Sequence, residues 1–192
     1  MSAAREREAS QTGPVAQRAT RSSEELLLGE WACLGLIYPA PTHGFAVAAA
    51  LKPSGEIGRV WSLSRPLTYR AIDQLIAREL VTVVGEERGL AGGNRTLVAA
   101  TRRGRAQLRR WLRTPVEHLR DVRSELLLKL LLAERCAVDI GPMLTTQRTK
   151  VAAMEAVLAE QVGTEPGDVV ARWRVESAGA ARRFLDALIT GA

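Results

Sequence analysis

The side chains best equipped for specific chemistry fall in one short run, Ser64 to Asp73, with two more at Asn94 and Arg95. Arg65 and Arg70 bring guanidinium forks, while Tyr69, Asp73, Gln74 and the hydroxyls of Ser64 and Thr68 bring further donors and acceptors. Such groups bind phosphate oxygens and the edges of bases. No nucleophile motif, phosphate-cradling loop or metal-ligand spacing accompanies them. The two histidines, His43 and His118, stand far apart in the chain. The chemistry on offer is recognition; catalysis, a cofactor and a metal are not expected.

The run needs a helix to present it. Ser64 is placed to cap one, and Pro66 sits in the first turn, where a missing N–H costs nothing. Leu67, Ala71, Ile72, Leu75, Ile76 and Leu80 then recur at three- and four-residue spacing, which predicts one buried face. At about 100° per residue the opposite face collects Pro66, Tyr69, Arg70, Asp73, Gln74 and Ala77, with Arg65 at its edge. The β-branched Val81–Val84 and Thr96–Val98 follow as a hairpin with a long tip from Gly85 to Arg95. Asn94 and Arg95 at that tip suit a minor groove or a phosphate strand. Val60–Trp61 supplies a short third strand, and the whole reads as a winged helix-turn-helix.

Upstream, Thr42 caps a support helix over His43–Lys52 that carries Phe45, Val47, Ala48 and Leu51 inward. His43 in its first turn could hydrogen-bond a phosphate or serve only as a local cap. Ser22 and Glu25 resemble a capping box for a helix over Leu26–Ile37, apolar on most sides and therefore buried against more than one neighbour. Residues 1–21 lack large apolar groups and are expected to be a disordered tail. After the hairpin, Thr101 caps a helix with six arginines among residues 102–113, whose face is either solvated or turned to phosphate. Thr114–Pro115 ends it. The expected division is a tail, 1–21, a DNA-binding domain, 22–114, and a helical dimerisation domain, 115–192.

In that last part, Asp121–Val138 is apolar almost all round and needs cover on both sides. Leu144, Val151, Met154, Leu158 and Val162 form one seam, and Val170, Trp173, Ser177, Ala180, Phe184 and Ala187 another. A single helix pair cannot bury all three surfaces, so a homodimer is expected through Leu126, Leu127, Leu130, Val151, Met154, Leu158, Trp173 and Phe184. Two reading heads on a two-fold axis match a palindromic duplex.

Composition agrees. The 192 residues are 46% apolar, enough for a sizeable core, and no apolar run approaches the ~20 residues of a membrane span. The start Arg5-Glu-Arg-Glu is unlike a secretory signal, so the chain is expected to stay in the cytoplasm. Cys33 and Cys136 sit in apolar helical patterns and read as buried free thiols. The net charge of +6 is unevenly spread: residues 24–113 carry 13 basic and 8 acidic side chains, residues 114–192 carry 10 and 11. The excess lies where a polyanionic partner would bind.

Four passages resemble the PadR family of bacterial transcriptional regulators, in the branch with an extended C-terminal domain. They are Ala40-Pro-Thr-His-Gly-Phe45; Gly58-Arg-Val-Trp-Ser62 with Leu67-Thr-Tyr-Arg-Ala-Ile72; Gly92-Gly93-Asn94-Arg95; and Arg123-Ser-Glu-Leu-Leu-Leu-Lys-Leu-Leu131. Phe45 stands where the family usually has Tyr, and Arg102-Arg103 replaces an often acidic helix start. The resemblance implies DNA contacts from Tyr69 and its neighbours and from Arg95, dimerisation through the C-terminal helices, commonly repression, and release by small aromatic or drug-like effectors. Trp31, Trp111 and Trp173 are the candidate walls of an effector cavity. A second reading is a helical dimer whose main business is a small ligand, with DNA binding secondary or lost.

Overall fold

The computed structural model describes residues 25–88, 94–164 and 167–191. The expected tail, the Ser22 cap, the wing tip at Gly92–Gly93 and the side chain of Asn94 lie outside the described residues. The order is α1 (Leu28–Ile37), β1 (Thr42–His43), α2 (Gly44–Ala50), α3 (Arg65–Ala77), β2 (Val81–Arg88), β3 (Asn94–Ala100) and α4 (Arg102–Leu112). A 3-10 turn over Leu119–Asp121 and a π turn over Val122–Leu126 lead into α5 (Leu127–Arg135), followed by α6 (Gly141–Thr164) and α7 (Val169–Thr190). The fold is mainly helical with a small antiparallel sheet in the order β1-β3-β2, a winged helix-turn-helix followed by helices.

α1 is the centre of the packing. Gly29 through Ile37 are all buried, as its all-round apolar sequence requires, and it packs against α2, α3, α4, α5 and β3. Gly35 lets α5 approach: a Cβ there would stand 2.6 Å from the Leu132 methyl carbons. The buried Glu30 carboxylate accepts the Leu27 N–H at 2.8 Å and lies 3.9 Å from Arg78 Nη1, which ties the start of α1 to the end of α3. Both cysteines are free and buried, and burial pushes the Cys33 thiol up to about 12 and the Cys136 thiol up to about 11. They are inert packing groups.

The helix α3 differs in phase from its expectation. Thr68 is fully buried in line with Ala71, Ile72 and Leu75, and its hydroxyl donates to Ser64 O at 3.0 Å. Leu67, rotated about 100° off that line, is 50% exposed. Ser64 precedes α3 in extended conformation, but its side chain makes no cap. α2 begins one residue later than expected, and Phe45 falls about a third of a turn from Val47, Ala48 and Leu51. It is 53% exposed instead of inward. The third strand is Thr42–His43, paired with Leu97–Val98; Val60–Trp61 forms a turn instead. The hairpin strands run longer than the β-branched runs that announced them, pairing from Val81–Ala100 to Arg88–Asn94, with a bulge between Val83 and Gly85.

Beyond Thr114 the chain stays tied to the first part. Leu126, Leu128, Leu132, Met143 and Val151 belong to the same hydrophobic cluster as Leu34, Leu75 and Leu108. Lys129, only 1% exposed, donates to Thr114 O at 2.6 Å, pairs with Glu125 at 2.7 Å and lies 4.8 Å from the Trp111 ring centre. Burial lowers its pKa, and the Glu125 hydrogen bond opposes that. Buried Gln147 on α6 clamps Val116, accepting its N–H at 2.7 Å and donating to its carbonyl at 3.2 Å.

α6 and α7 pack as an antiparallel pair, but along a different line from the expected one. The buried positions of α7 are Ala171, Ala178, Gly179, Ala181 and Leu185. Small residues there allow close approach, and ion pairs close the edge: Arg182 to Glu155 at 2.6 Å, and Arg148 to Asp186 at 2.8 Å. The predicted stripe from Val170 to Ala187 lies about 100° further round the helix.

Gly104 tests the joint between helix and hairpin. Thr101 caps α4 by accepting the Gly104 N–H at 3.0 Å and donates to Glu79 O at 2.8 Å. This brings Gly104 so near the backbone that a Cβ would sit 2.1 Å from Leu80 O. Gly104→Ala gains about 1 kcal/mol of helix propensity but must displace a backbone carbonyl, a strain of about 1–3 kcal/mol or more. We expect a net fall in melting temperature of a few degrees, measured by calorimetry; a rise would contradict this packing.

Asp186 gives a pH signature. The Arg148 hydrogen bond, with help from Arg182, holds its carboxyl below the ordinary 3.8. A lowered folded pKa means stability that is present above 3.8 and lost as pH falls through the lowered value. Asp186→Asn should therefore melt below the wild type at neutral pH, and the gap should narrow as the pH drops below 3.8. An unchanged gap across that range would show the ion pair does not contribute.

Candidate nucleic-acid interface

The outer face of α3 is built by its inner one. Because Thr68, Ala71, Ile72 and Leu75 face the core, the helical repeat turns Arg65, Pro66, Tyr69, Arg70, Asp73, Gln74 and Ala77 to solvent, and all seven are exposed. The charged groups on this face are two guanidinia and one carboxylate. Arg65 is held in place: its guanidinium carbon lies 5.7 Å from the centre of the Phe45 ring and 5.7 Å from that of Tyr69. Tyr69 is itself seated on Gly44, where a Cβ would come within 2.8 Å of the ring. Two short elements, the start of α2 and the start of α3, thus fix one cation with two aromatic rings.

Thr68 does not belong to this face. Its side chain is buried and its hydroxyl is satisfied within the helix, so it positions α3 and contacts nothing outside. Ser64 remains exposed at the helix start with an uncommitted hydroxyl. His43 is also reassigned. It lies in β1, and its Nδ1 faces Thr96 O at 3.2 Å while Nε2 faces a Glu87 carboxylate oxygen at 3.0 Å. With both ring nitrogens turned to acceptors on the hairpin, it staples the wing to β1 and has none left for a phosphate. Arg95 stands exposed on β3, in register with Glu87 on β2.

The arginines of α4 are largely spoken for. Arg105 lies over the Tyr38 ring at 4.9 Å, Arg109 donates to the Tyr38 hydroxyl at 3.3 Å, Arg103 pairs with exposed Glu79 at 3.6 Å, and Arg113 donates to Asp139 O at 3.3 Å. An open cleft of about 690 Å³ lies between the end of α3 and α4, lined in part by Arg78, Glu79, Arg103 and Arg110.

The tryptophans do not gather. Trp31 and Trp111 stack on each other with centroids 4.7 Å apart and planes 9° from parallel. Lys129 also lies against the Trp111 ring, and Trp31 is buried. The pair fills its own space, so neither ring offers a face to an effector. Trp173 stands apart on α7, 71% exposed.

Of the expected dimerisation residues, Leu126 and Val151 are fully buried in their own chain and cannot meet a partner. Leu127, Leu130, Met154 and Leu158 are half-buried, while Trp173 and Phe184 are exposed. With Val170 and the exposed Ala180 and Ala187, these two make a second apolar stripe on α7, beside the one that packs on α6. Phe45 and Leu67 are the large apolar residues exposed near the outer face of α3 that sequence reasoning placed inside. The signal was the helical phase: a buried Thr68 places Leu67 outside.

No family model and no curated protein sequence matches the chain. Among solved structures it is similar to Bacillus subtilis PadR in complex with operator DNA, with 17% identity over 83% of this chain and 97% of that one and a TM-score of 0.44. It is similar also to Bacillus subtilis PadR alone, at 16% identity, 88% and 97% coverage and a TM-score of 0.40. A third is the PadR-like transcriptional regulator BC1756 from Bacillus cereus, at 17% identity, 85% and 96% coverage and a TM-score of 0.37. Each of these three is PadR or a PadR-like transcriptional regulator.

Proposed function

We propose that this protein is a sequence-specific DNA-binding regulator of transcription that works as a homodimer and represses by occupying its operator. One observation carries the reading: α3 buries one face completely and leaves the other, with Arg65, Tyr69, Arg70, Asp73 and Gln74, open to solvent beside the wing. A helix held this rigidly and carrying forks and amides outward matches the major groove, whose base edges those groups can distinguish. Arg95 on the wing and Ser64 at the helix start are placed for phosphates.

Support for the dimer comes from α7. Val170, Trp173 and Phe184 are exposed large apolar groups in one stripe, with Val157 exposed on α6. Pairing that stripe with its own copy buries it symmetrically and sets two α3 helices on one two-fold axis. Trp173 is also the ring a small aromatic effector would compete for, and such an effector would act on the interface and so on the spacing of the heads.

Binding to a duplex from the protein's own promoter region should weaken steeply as salt is raised, as phosphate neutralisation requires. A flat salt dependence would sink the proposal. Arg70→Ala should cost about 1–3 kcal/mol, concentrated at one operator position if the residue reads a base; uniform weakening across sequences would make it a phosphate contact instead.

Trp173→Glu or Phe184→Glu should raise the dimer dissociation constant by about thirtyfold or more, the loss of a central anchor. Light scattering would show a shift to monomer. A dimer of unchanged strength in both variants would place the interface elsewhere.

A further inference from the structure

We infer that Phe45, at the start of the support helix, is a specificity-determining residue that reads the 5-methyl group of a thymine next to the base pair met by Arg65. The inference rests on the reading of α3 as the DNA-facing helix and adds to it a residue outside that helix.

Phe45 is 53% exposed, although its helix has an apolar interior face at Val47, Ala48 and Leu51 to which a phenyl ring could have been assigned. Lone exposed apolar residues are ordinary; this one is not alone. Its ring and that of Tyr69, 38% exposed, lie at the same 5.7 Å from the Arg65 guanidinium. The two rings thus flank one guanidinium, on a residue that is itself exposed. Gly44 fixes the arrangement from below, because any side chain there would collide with the Tyr69 ring.

What can meet the outer part of the Phe45 ring follows from the chemistry of the major groove. The base edges there offer nitrogen and oxygen donors and acceptors, together with a single apolar group, the thymine methyl. A phenyl ring has no hydrogen bond to give a phosphate or a base edge, and it would leave such groups dry and unpaired. Among the groups on those edges, only the methyl gives it an apolar contact. Since the ring is in contact with Arg65, the thymine it covers must neighbour the pair that Arg65 approaches.

The test uses the full chain. A preferred duplex is selected from a random pool, and each thymine in it is then replaced in turn by deoxyuridine, which removes one methyl and changes no hydrogen bond. With the wild-type protein, one thymine in each half-site should lose about fourfold in affinity on replacement, the worth of one buried carbon. Phe45→Ala should bind the thymine and uracil duplexes alike. Leu67→Ala, which removes another exposed apolar side chain near this surface, should keep the full discrimination.

If every uracil duplex binds the wild type as well as the parent, or if the penalty survives in Phe45→Ala, the inference is overturned while DNA recognition stands. A penalty that vanishes in Leu67→Ala but not in Phe45→Ala would assign the methyl to Leu67 and overturn it equally. If the pool yields no preferred sequence, the underlying reading falls and this one with it.

Discussion

Everything in this protein hangs on the burial of one ten-residue helix. α1 has no solvated face: from Gly29 to Ile37 each residue is covered by α2, α3, α4, α5 or β3. An apolar helix enclosed in this way gains roughly 1.5–3 kcal/mol for each large side chain removed from water, provided that every neighbour stays in place. That condition orients the rest. α3 must turn Ala71, Ile72 and Leu75 toward the core, and its helical repeat then leaves the tyrosine and arginines no direction but out. α5 must supply Leu128 and Leu132 to the same core, which binds the C-terminal helices to the winged part through one hydrophobic cluster.

The same constraint explains which polar groups are structural. Thr68, Glu30, Lys129 and Gln147 are buried and each meets a partner inside the chain. Burial without such bonds would cost each of them kilocalories. They serve as joints between elements: Glu30 between α1 and α3, Gln147 between Val116 and α6, Lys129 under the stacked tryptophans. None is free for a ligand. The exposed polar groups of α3 have no comparable duty inside the chain, which leaves them free for the recognition proposed here.

Periodicity made α3 legible, because the 3.6-residue repeat from Leu67 to Leu80 depends on the backbone alone, and a nearly unbroken apolar run marked α1. The wing was legible in its β-branched runs and the cap at Thr101 in its position. Phase was harder. A hydroxyl can be buried when the carbonyl four residues back accepts its proton, so Thr68 looked polar and proved to be core, and Leu67 looked like core and proved exposed. The stripe on α7 is apolar but for Ser177, yet so is the line beside it of Ala171, Ala178, Gly179, Ala181 and Leu185, whose mostly small residues won the contact with α6 because they let the helices approach. The sequence left His43 open between a phosphate contact and a local cap, because the strand that claims it, β1, is only two residues long and has no sequence signal of its own. The aromatic clasp on Arg65 joins residues twenty apart and was invisible to any local pattern.

The central claim is that α3, and not the arginine-rich α4, meets the bases. It is tested most directly by placing a photo-reactive phenylalanine analogue at Tyr69 in one full-length variant and at Arg110 in another, then irradiating each with a selected duplex. The account predicts base-specific cross-links from position 69, at one place in each half-site, and none to bases from position 110. Cross-links to bases from position 110, with position 69 silent, would contradict it.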